Sequence, residues 1–313
     1  MFKRIAFSTA LLLPVLVFAG STNTARTLQS QDRSAWTWSR TDDGMKIEVK
    51  VEGKVEFLDD YSDVQQISDD GALRIRDERS SAVAKRYVVT LGADGQLRRS
   101  YTVNGEAKAF DVGAREWLRG VLLLATRQGG LDARMRVRRI LQRSGSKGLI
   151  EEISHIEGDY ARRIYFEELL KVESLDNAAL TSAMRGASGQ ISSDYERAQL
   201  LLHVADIYLS KSELLPVYFE AADRIASDYE HRRVLSAALK KNKLGQEVLL
   251  KMLKSSLVIK SDYEKATFLI EAAQLFAGET RLRSAFLEVV ETISSDHERG
   301  RVLSSLVKKN ILD

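Results

Sequence analysis

The chain of 313 residues contains no cysteine. This excludes disulfides, thiolate metal sites, a cysteine nucleophile and lipid attachment at a lipobox. Proline is almost absent as well, since Pro14 and Pro216 are the two prolines of the sequence. Proline interrupts helices, so its scarcity after residue 14 suits a chain that is largely helical in its second half.

Several signatures of known chemistries are also missing. The sequence has no Gly-rich phosphate loop, no Gly-x-Ser-x-Gly elbow and no His-Glu-x-x-His motif. The sequence has four histidines, His155, His203, His231 and His297. No two of them have the spacing of metal ligands. The formal net charge of +3 gives no reason to expect a nucleic-acid partner. We therefore expect a protein that is not an enzyme and binds no cofactor or metal.

The N-terminus has the layout of a secretory signal peptide. Lys3 and Arg4 precede an apolar run from Ile5 to Phe18, and small residues follow at 19 and 20. A membrane anchor is the alternative, but the run is about 14 residues, shorter than the roughly 20 that span a bilayer. We expect residues 1–19 to be removed, residues 20–34 to form a flexible linker, and the mature protein to be periplasmic or secreted without a transmembrane segment.

Residues 35–110 are predicted to form a small antiparallel β domain. "MKIEVKVEG" alternates apolar and charged residues, and further strand candidates follow at "VQQIS", "ALRIRDE", "KRYVVTLG" and "LRRSYTVNG". Turn signals at Gly71, Gly95 and Asn104-Gly105 separate some of them, which favours a β-meander. Trp36 and Trp38 open the domain, where they serve either sheet packing or stacking on a sugar.

Helical periodicity begins near residue 110, and residues 111–158 are predicted as connecting helices. Gly129-Gly130 marks the end of the first of them. The stretch "RMRVRRILQR" then carries five arginines, among them Arg134 and Arg138. This basic cluster either forms ion pairs with the glutamates that follow or contacts an acidic partner, an anionic lipid or a polysaccharide.

An internal repeat dominates residues 159–313. An aspartate followed by an aromatic ring recurs at intervals of 35, 34, 34 and 34 residues, at Asp159-Tyr160, Asp194-Tyr195, Asp228-Tyr229, Asp262-Tyr263 and Asp296-His297. A constant period near 34 is typical of helical hairpins that hide their apolar faces against each other. The fold class predicted is α+β: an antiparallel β-meander domain followed by a solenoid of α-helical hairpins.

Serine and glutamate three residues apart frame four of the five repeats. This spacing before an apolar helical pattern predicts a capping box, in which the serine oxygen and the glutamate carboxylate each accept from the other residue's N–H. The predicted caps are Ser193 with Glu196, Ser227 with Glu230, Ser261 with Glu264, and Ser295 with Glu298.

The tyrosine of each repeat is not required by the cap. Tyr160, Tyr195, Tyr229 and Tyr263 are either buried plugs between hairpins or a ladder of exposed rings that contacts a partner. A second period of 68 residues, seen between "RVLSAALKKN" and "RVLSSLVKKN", indicates that the unit of duplication is a pair of hairpins.

The repeat period resembles that of tetratricopeptide-type solenoids, although the Gly and Pro positions of that consensus are absent. More closely, "VEGKVEFLDDYSDVQQISDDGALRI", "GQLRRSYTVNGEAKAF", "AREWL" and the Ser-Asp-Tyr repeats resemble a little-studied group of exported bacterial proteins. In some of these the region follows membrane metallopeptidase domains of the antirepressor sensor type. The resemblance implies no activity. We expect an extracytoplasmic scaffold or sensor accessory that binds an envelope protein, with a carbohydrate or envelope-polymer binder as the alternative.

Overall fold

The structure is a computed structural model that describes residues 26–30, 35–42, 45–80, 82–172, 174–241, 244–275 and 280–308. The predicted signal peptide, residues 1–19, lies outside the described residues. By their packing the described residues divide into two compact units, one within Met1–Val55 and Ile67–Ala109, the other within Glu56–Gln66 and Phe110–Asp313.

The first unit is built on an antiparallel sheet, which confirms the predicted β domain as a class. The described strands are β1 (Arg26–Ser30), β2 (Ala35–Asp42), β3 (Met45–Glu52), β4 (Val55–Phe57), β5 (Val64–Ile67), β6 (Ala72–Glu78), β7 (Lys85–Leu91), β8 (Leu97–Val103) and β9 (Glu106–Ala107). The sheet of the first unit has the strand order β1-β2-β3-β6-β7-β8-β9. Strands β4 and β5 pair separately with each other, and most of their residues belong to the second unit. Apart from the β4-β5 hairpin, neighbours along the chain pair with each other, as a meander requires.

Alternation decides which face of this sheet is buried. In β3, Ile47 and Val49 are fully buried, while Lys50 between Val49 and Val51 is exposed. The next strand continues the apolar face, because Val49 lies opposite Ile75 in the β3-β6 register. Asn104 and Gly105 both have positive φ in the turn between β8 and β9, as the Asn-Gly signal predicted.

Two predictions about this part of the chain are wrong. Residues 20–34 were expected to be a linker, but Arg26–Ser30 pairs with β2 as a strand. Residues 35–110 were expected to form one domain, but Glu56–Gln66 packs with the helices, where Asp63 pairs with Arg115 at 2.7 Å. Neither departure has a strong sequence signal, because backbone pairing and one polar contact leave no periodic pattern.

The second unit is helical. Its described helices are α1 (Val112–Gly129), α2 (Ala133–Ser154), α3 (Asp159–Leu170), α4 (Asn177–Gln190), α5 (Asp194–Leu209), α6 (Leu215–Ala222), α7 (Asp228–Leu239), α8 (Gln246–Ser256), α9 (Asp262–Ala272), α10 (Thr280–Glu291) and α11 (Asp296–Lys308). Gly130 ends α1 in the left-handed conformation, as predicted, with φ of 72°. Pro216 lies in the first turn of α6, where a missing N–H costs no hydrogen bond.

The hairpins stack in the way the repeat predicts. Helices α3, α5, α7, α9 and α11 pack side by side in chain order, and α4, α6, α8 and α10 form the second layer. An isoleucine precedes each first-layer helix and is almost completely buried in every case: Ile156, Ile191, Ile225, Ile259 and Ile293. The apolar core therefore lies between the two layers and continues from hairpin to hairpin. None of the described helices has the length and hydropathy to cross a membrane.

Candidate functional site

The repeated tyrosines are exposed side chains at the start of the first-layer helices. Each is the second residue of its helix, and Tyr195, Tyr229 and Tyr263 are exposed to 52%, 52% and 56%. The buried-plug interpretation is wrong for these three residues. In α5 the buried positions Ala198, Leu201 and Ala205 lie on one face, and the periodicity of 3.6 places Tyr195 beside that face rather than on it. Tyr160 is more enclosed than the others, and burial raises its pKa.

An arginine guanidinium stacks over each of these rings. The distance from the guanidinium carbon to the ring centroid is 5.1 Å for Arg163 on Tyr160 and 5.2 Å for Arg232 on Tyr229. It is 5.5 Å for Arg233 on Tyr195 and 5.3 Å for Arg301 on Tyr263. Contacts of this kind contribute about 0.5–1 kcal/mol at exposed sites and hold the ring in one orientation.

The stacking alternates with the 68-residue period. Arg163 and Arg232 lie one helical turn after the tyrosine they cover, on the same helix. Arg233 and Arg301 reach back from the next first-layer helix. The arginine over each ring thus comes alternately from the same helix and from the next first-layer helix. This alternation matches duplication of a pair of hairpins.

The glutamates predicted as half of a capping box bind these arginines instead. Glu196 accepts from Arg163 at 2.6 Å, Glu230 from Arg233 at 2.7 Å and Glu298 from Arg301 at 2.5 Å. Glu264 accepts from Arg232. Together the four tyrosines, the four stacked arginines and these four glutamates form one surface that we name the tyrosine ladder.

The serine half of the predicted cap is confirmed. The hydroxyl oxygen of Ser193 and of Ser227 accepts from the backbone N–H three residues on at 3.4 Å. The same bond at Ser261 and Ser295 measures 3.3 Å. The reciprocal bond is replaced, because the serine N–H donates to the aspartate of the preceding repeat, and the capping-box interpretation is therefore half wrong.

These aspartates join each repeat to the next. Asp159 Oδ2 accepts from the N–H of Ser193 at 2.7 Å, and Asp194 Oδ2 accepts from the N–H of Ser227 at 2.8 Å. Asp228 and Asp262 bind the next serine in the same way at 2.8 Å. The result is a row of charge-assisted hydrogen bonds made by the residue that precedes each ladder tyrosine. These bonds fix the distance between successive tyrosines.

The position three residues after each aspartate carries a basic side chain: Arg162, Arg197, His231, Lys265 and Arg299. Arg162 donates to the carbonyl of Gln190, and Arg197 donates to that of Arg224, so each reaches the end of the neighbouring second-layer helix. Carbonyls at a helix end lack intrahelical donors, which makes them natural partners for a cation.

His231 at this position is buried against Ser255, which in turn contacts Asp223, whose side chain is 40% exposed. His231 Nε2 lies 2.9 Å from Ser255 Oγ, and Ser255 donates to Asp223. The serine thus stands between the histidine and the carboxylate, whereas nucleophilic catalysis needs the histidine in the middle. His231 and Ser255 are each 1% exposed, and burial lowers the pKa of the imidazole to about 4. The cluster is therefore built as a packing element.

The arginine cluster of α2 is divided between two environments. Arg136 pairs with Glu152 at 2.9 Å, and Arg143 pairs with Asp59 at 2.5 Å. Arg134 and Arg138 line a groove of about 1110 Å³ together with Lys171 and Glu168, and Arg134 lies 3.8 Å from the Glu168 carboxylate. The groove lies where α2 is broken at Gly145, which has φ of 64°.

A polar network at the start of α2 was not predicted from the sequence. Tyr61 is 1% exposed and donates to Asp132 at 2.9 Å, while Arg139 donates to the Tyr61 hydroxyl at 2.8 Å. Tyr61 and Asp132 both have positive φ, a conformation that costs of order 1 kcal/mol for residues other than glycine. The network ties Glu56–Gln66 to the helices, and residues so far apart in the chain give no local signal.

The two tryptophans do not form an exposed pair. Trp38 is fully buried, opposite Val49 of β3, and Trp36 is partly buried, opposite Val51. The sugar-stacking interpretation is wrong for Trp38, because a ring enclosed by the sheet core offers no face to a ligand.

No group of three or more potential metal ligands is found among the described residues. The tyrosine ladder is therefore the surface that combines regular spacing, exposure and fixed side chains.

Comparison of the chain with protein-family models, with characterised proteins and with solved structures finds no match.

Proposed function

We propose that this chain is an exported, non-enzymatic interaction scaffold that binds an envelope protein through the tyrosine ladder. The observation that carries the proposal is the exposure of Tyr195, Tyr229 and Tyr263 at equivalent positions of successive hairpins. Tyrosine and arginine are enriched at the centres of protein interfaces.

The ladder is also prepared for binding. Each ring is held by an arginine whose other contact is a glutamate, so the side chains are ordered before a partner arrives. Preordering lowers the entropy lost on association. The carbohydrate alternative rested on Trp36, Trp38 and the arginine cluster, and the burial of Trp38 weighs against it.

Site-specific photo-crosslinking in the envelope fraction tests the proposal. A benzophenone amino acid placed at Tyr229 is expected to give a discrete protein adduct. The matched control carries the same group at Val112, which is 73% exposed and lies at the start of α1. Equal adducts at both positions, or none at Tyr229, would refute the scaffold role of the ladder.

A further inference from the structure

The rungs of the tyrosine ladder have a spacing set by helix packing. Neighbouring helix axes lie about 8–10 Å apart when side chains interlock. Because Tyr160, Tyr195, Tyr229 and Tyr263 occupy the same position of adjacent first-layer helices, we expect the rings to repeat at about that interval. A ligand that uses all of them must present equivalent groups with the same period.

The charge of the ladder narrows the chemistry of that ligand. Each stacked arginine is matched by a glutamate, as in Arg233 with Glu230 and Arg301 with Glu298. Arg163 and Arg232 each face two glutamates. Since every arginine is matched by at least one carboxylate, the surface has no excess of positive charge with which to recruit a phosphate chain or a polyanion. What it offers is the accessible part of each ring and a phenolic hydroxyl.

Among peptide conformations, polyproline II has the matching period. Its rise of about 3.1 Å and three residues per turn give about 9.3 Å per turn. An extended β-strand returns to the same face after two residues, at about 6.8 Å, and therefore falls out of step with the rungs. Aromatic-lined surfaces bind proline-rich segments in this helix because its conformation is already formed in the free peptide.

We infer that the tyrosine ladder binds a proline-rich segment in the polyproline II conformation. The segment has a proline at every third residue, so that one proline contacts each ring. The inference rests on the proposed function, since it names the partner's chemistry at the same surface. The three exposed rings, Tyr195, Tyr229 and Tyr263, cover two turns, and the half-buried Tyr160 extends the row to three turns, a segment of about ten residues.

Fluorescence anisotropy with the full chain tests this inference. The probe is a fluorescein-labelled peptide of about twelve residues with proline at every third position and alanine or serine between, and the comparison peptide has the same composition but no two prolines three residues apart. We expect at least about tenfold tighter binding of the first peptide, a difference of about 1.4 kcal/mol. The double variant Tyr195→Ala with Tyr229→Ala should lose at least about tenfold in affinity, whereas Val112→Ala should bind as the wild type does.

Four results would overturn the inference. Equal affinity for the two peptides, or binding that survives the double variant, would remove the role of the spacing. No peptide binding, together with tyrosine-dependent crosslinking to an envelope protein, would refute the polyproline partner and leave the proposed function standing. Tyrosine-dependent binding of a neutral oligosaccharide without either protein ligand would refute both.

Discussion

His231 is the basic residue of its repeat that has lost its charge. It stands where other repeats carry arginine or lysine, yet it is 1% exposed and its pKa is lowered to about 4 by burial, against an opposing effect of Asp228. Asp223, whose oxygen lies 3.6 Å from Nε2, has a raised pKa, also because of burial. The neutral ring is therefore the form that the packing accepts.

This burial predicts acid sensitivity. The unfolded chain binds a proton at His231 near pH 6.5 while the folded chain does so near pH 4, so the stability from this residue is present above 6.5 and is lost as pH falls toward 4. Urea unfolding of His231→Gln, compared with wild type at pH 7.5 and 4.5, should show a loss smaller by about 2–3 kcal/mol in the variant. An identical loss in both proteins would mean that the imidazole is not held neutral.

For single residues, the sequence predicted where the caps lie better than it predicted which partner each side chain binds. The serine caps were predicted because a hydroxyl three residues before a glutamate has a local geometric meaning. The destination of each glutamate was not predicted, because Arg163 and Arg232 lie 33 and 32 residues away from Glu196 and Glu264. The exposure of the tyrosines was indicated by the polar residues four positions later, which share the same helix face: Gln199, Arg233 and Thr267.

At the scale of helices and strands, the link between hairpins is the aspartate that opens each first-layer helix. It accepts from the serine N–H of the next helix, as Asp194 does from Ser227 at 2.8 Å. The sequence indicated only that a carboxylate in the first turn favours the helix dipole. The contact between repeats depends on the stack, which a single hairpin does not contain.

The last repeat offers a matched control for this link. Asp194→Ala should lower the free energy of unfolding by about 1.5–3 kcal/mol, because it leaves the Ser227 N–H without its charged acceptor. Asp296→Ala removes the same first-turn charge from α11, where the side chain is 97% exposed, and should cost under about 0.5 kcal/mol. Equal losses in the two variants would assign the effect to the helix dipole alone.

Strand and helix boundaries show where the sequence is informative. Alternation predicted β3, whose buried and wet residues take turns, and the strand candidates between turn signals predicted β5, β6, β7 and β8. It missed β1, β4 and β9, which are five, three and two residues long, too short for a period to show. The polar contacts of Asp63 and Tyr61 then assign Glu56–Gln66 to the helical unit, and such contacts between distant residues leave no trace in local pattern.

For the molecule as a whole, the repeat places tyrosines side by side on one surface, the tyrosine ladder. A period of 34 residues brings tyrosines to equivalent positions, and the 68-residue duplication decides from which helix each arginine comes. The account therefore makes a central claim: the ladder tyrosines serve recognition and contribute little to packing. The same chain contains a tyrosine in the opposite situation, Tyr218, which is fully buried in α6.

The free energy of urea unfolding of Tyr229→Ala against Tyr218→Ala tests that claim most directly. Tyr229→Ala should cost about 1 kcal/mol, the value of an exposed cation–π contact. Tyr218→Ala should cost about 3–5 kcal/mol, as expected for a large side chain removed from a core. A loss at Tyr229 as large as that at Tyr218 would show that the ladder belongs to the core, and would contradict its role in binding.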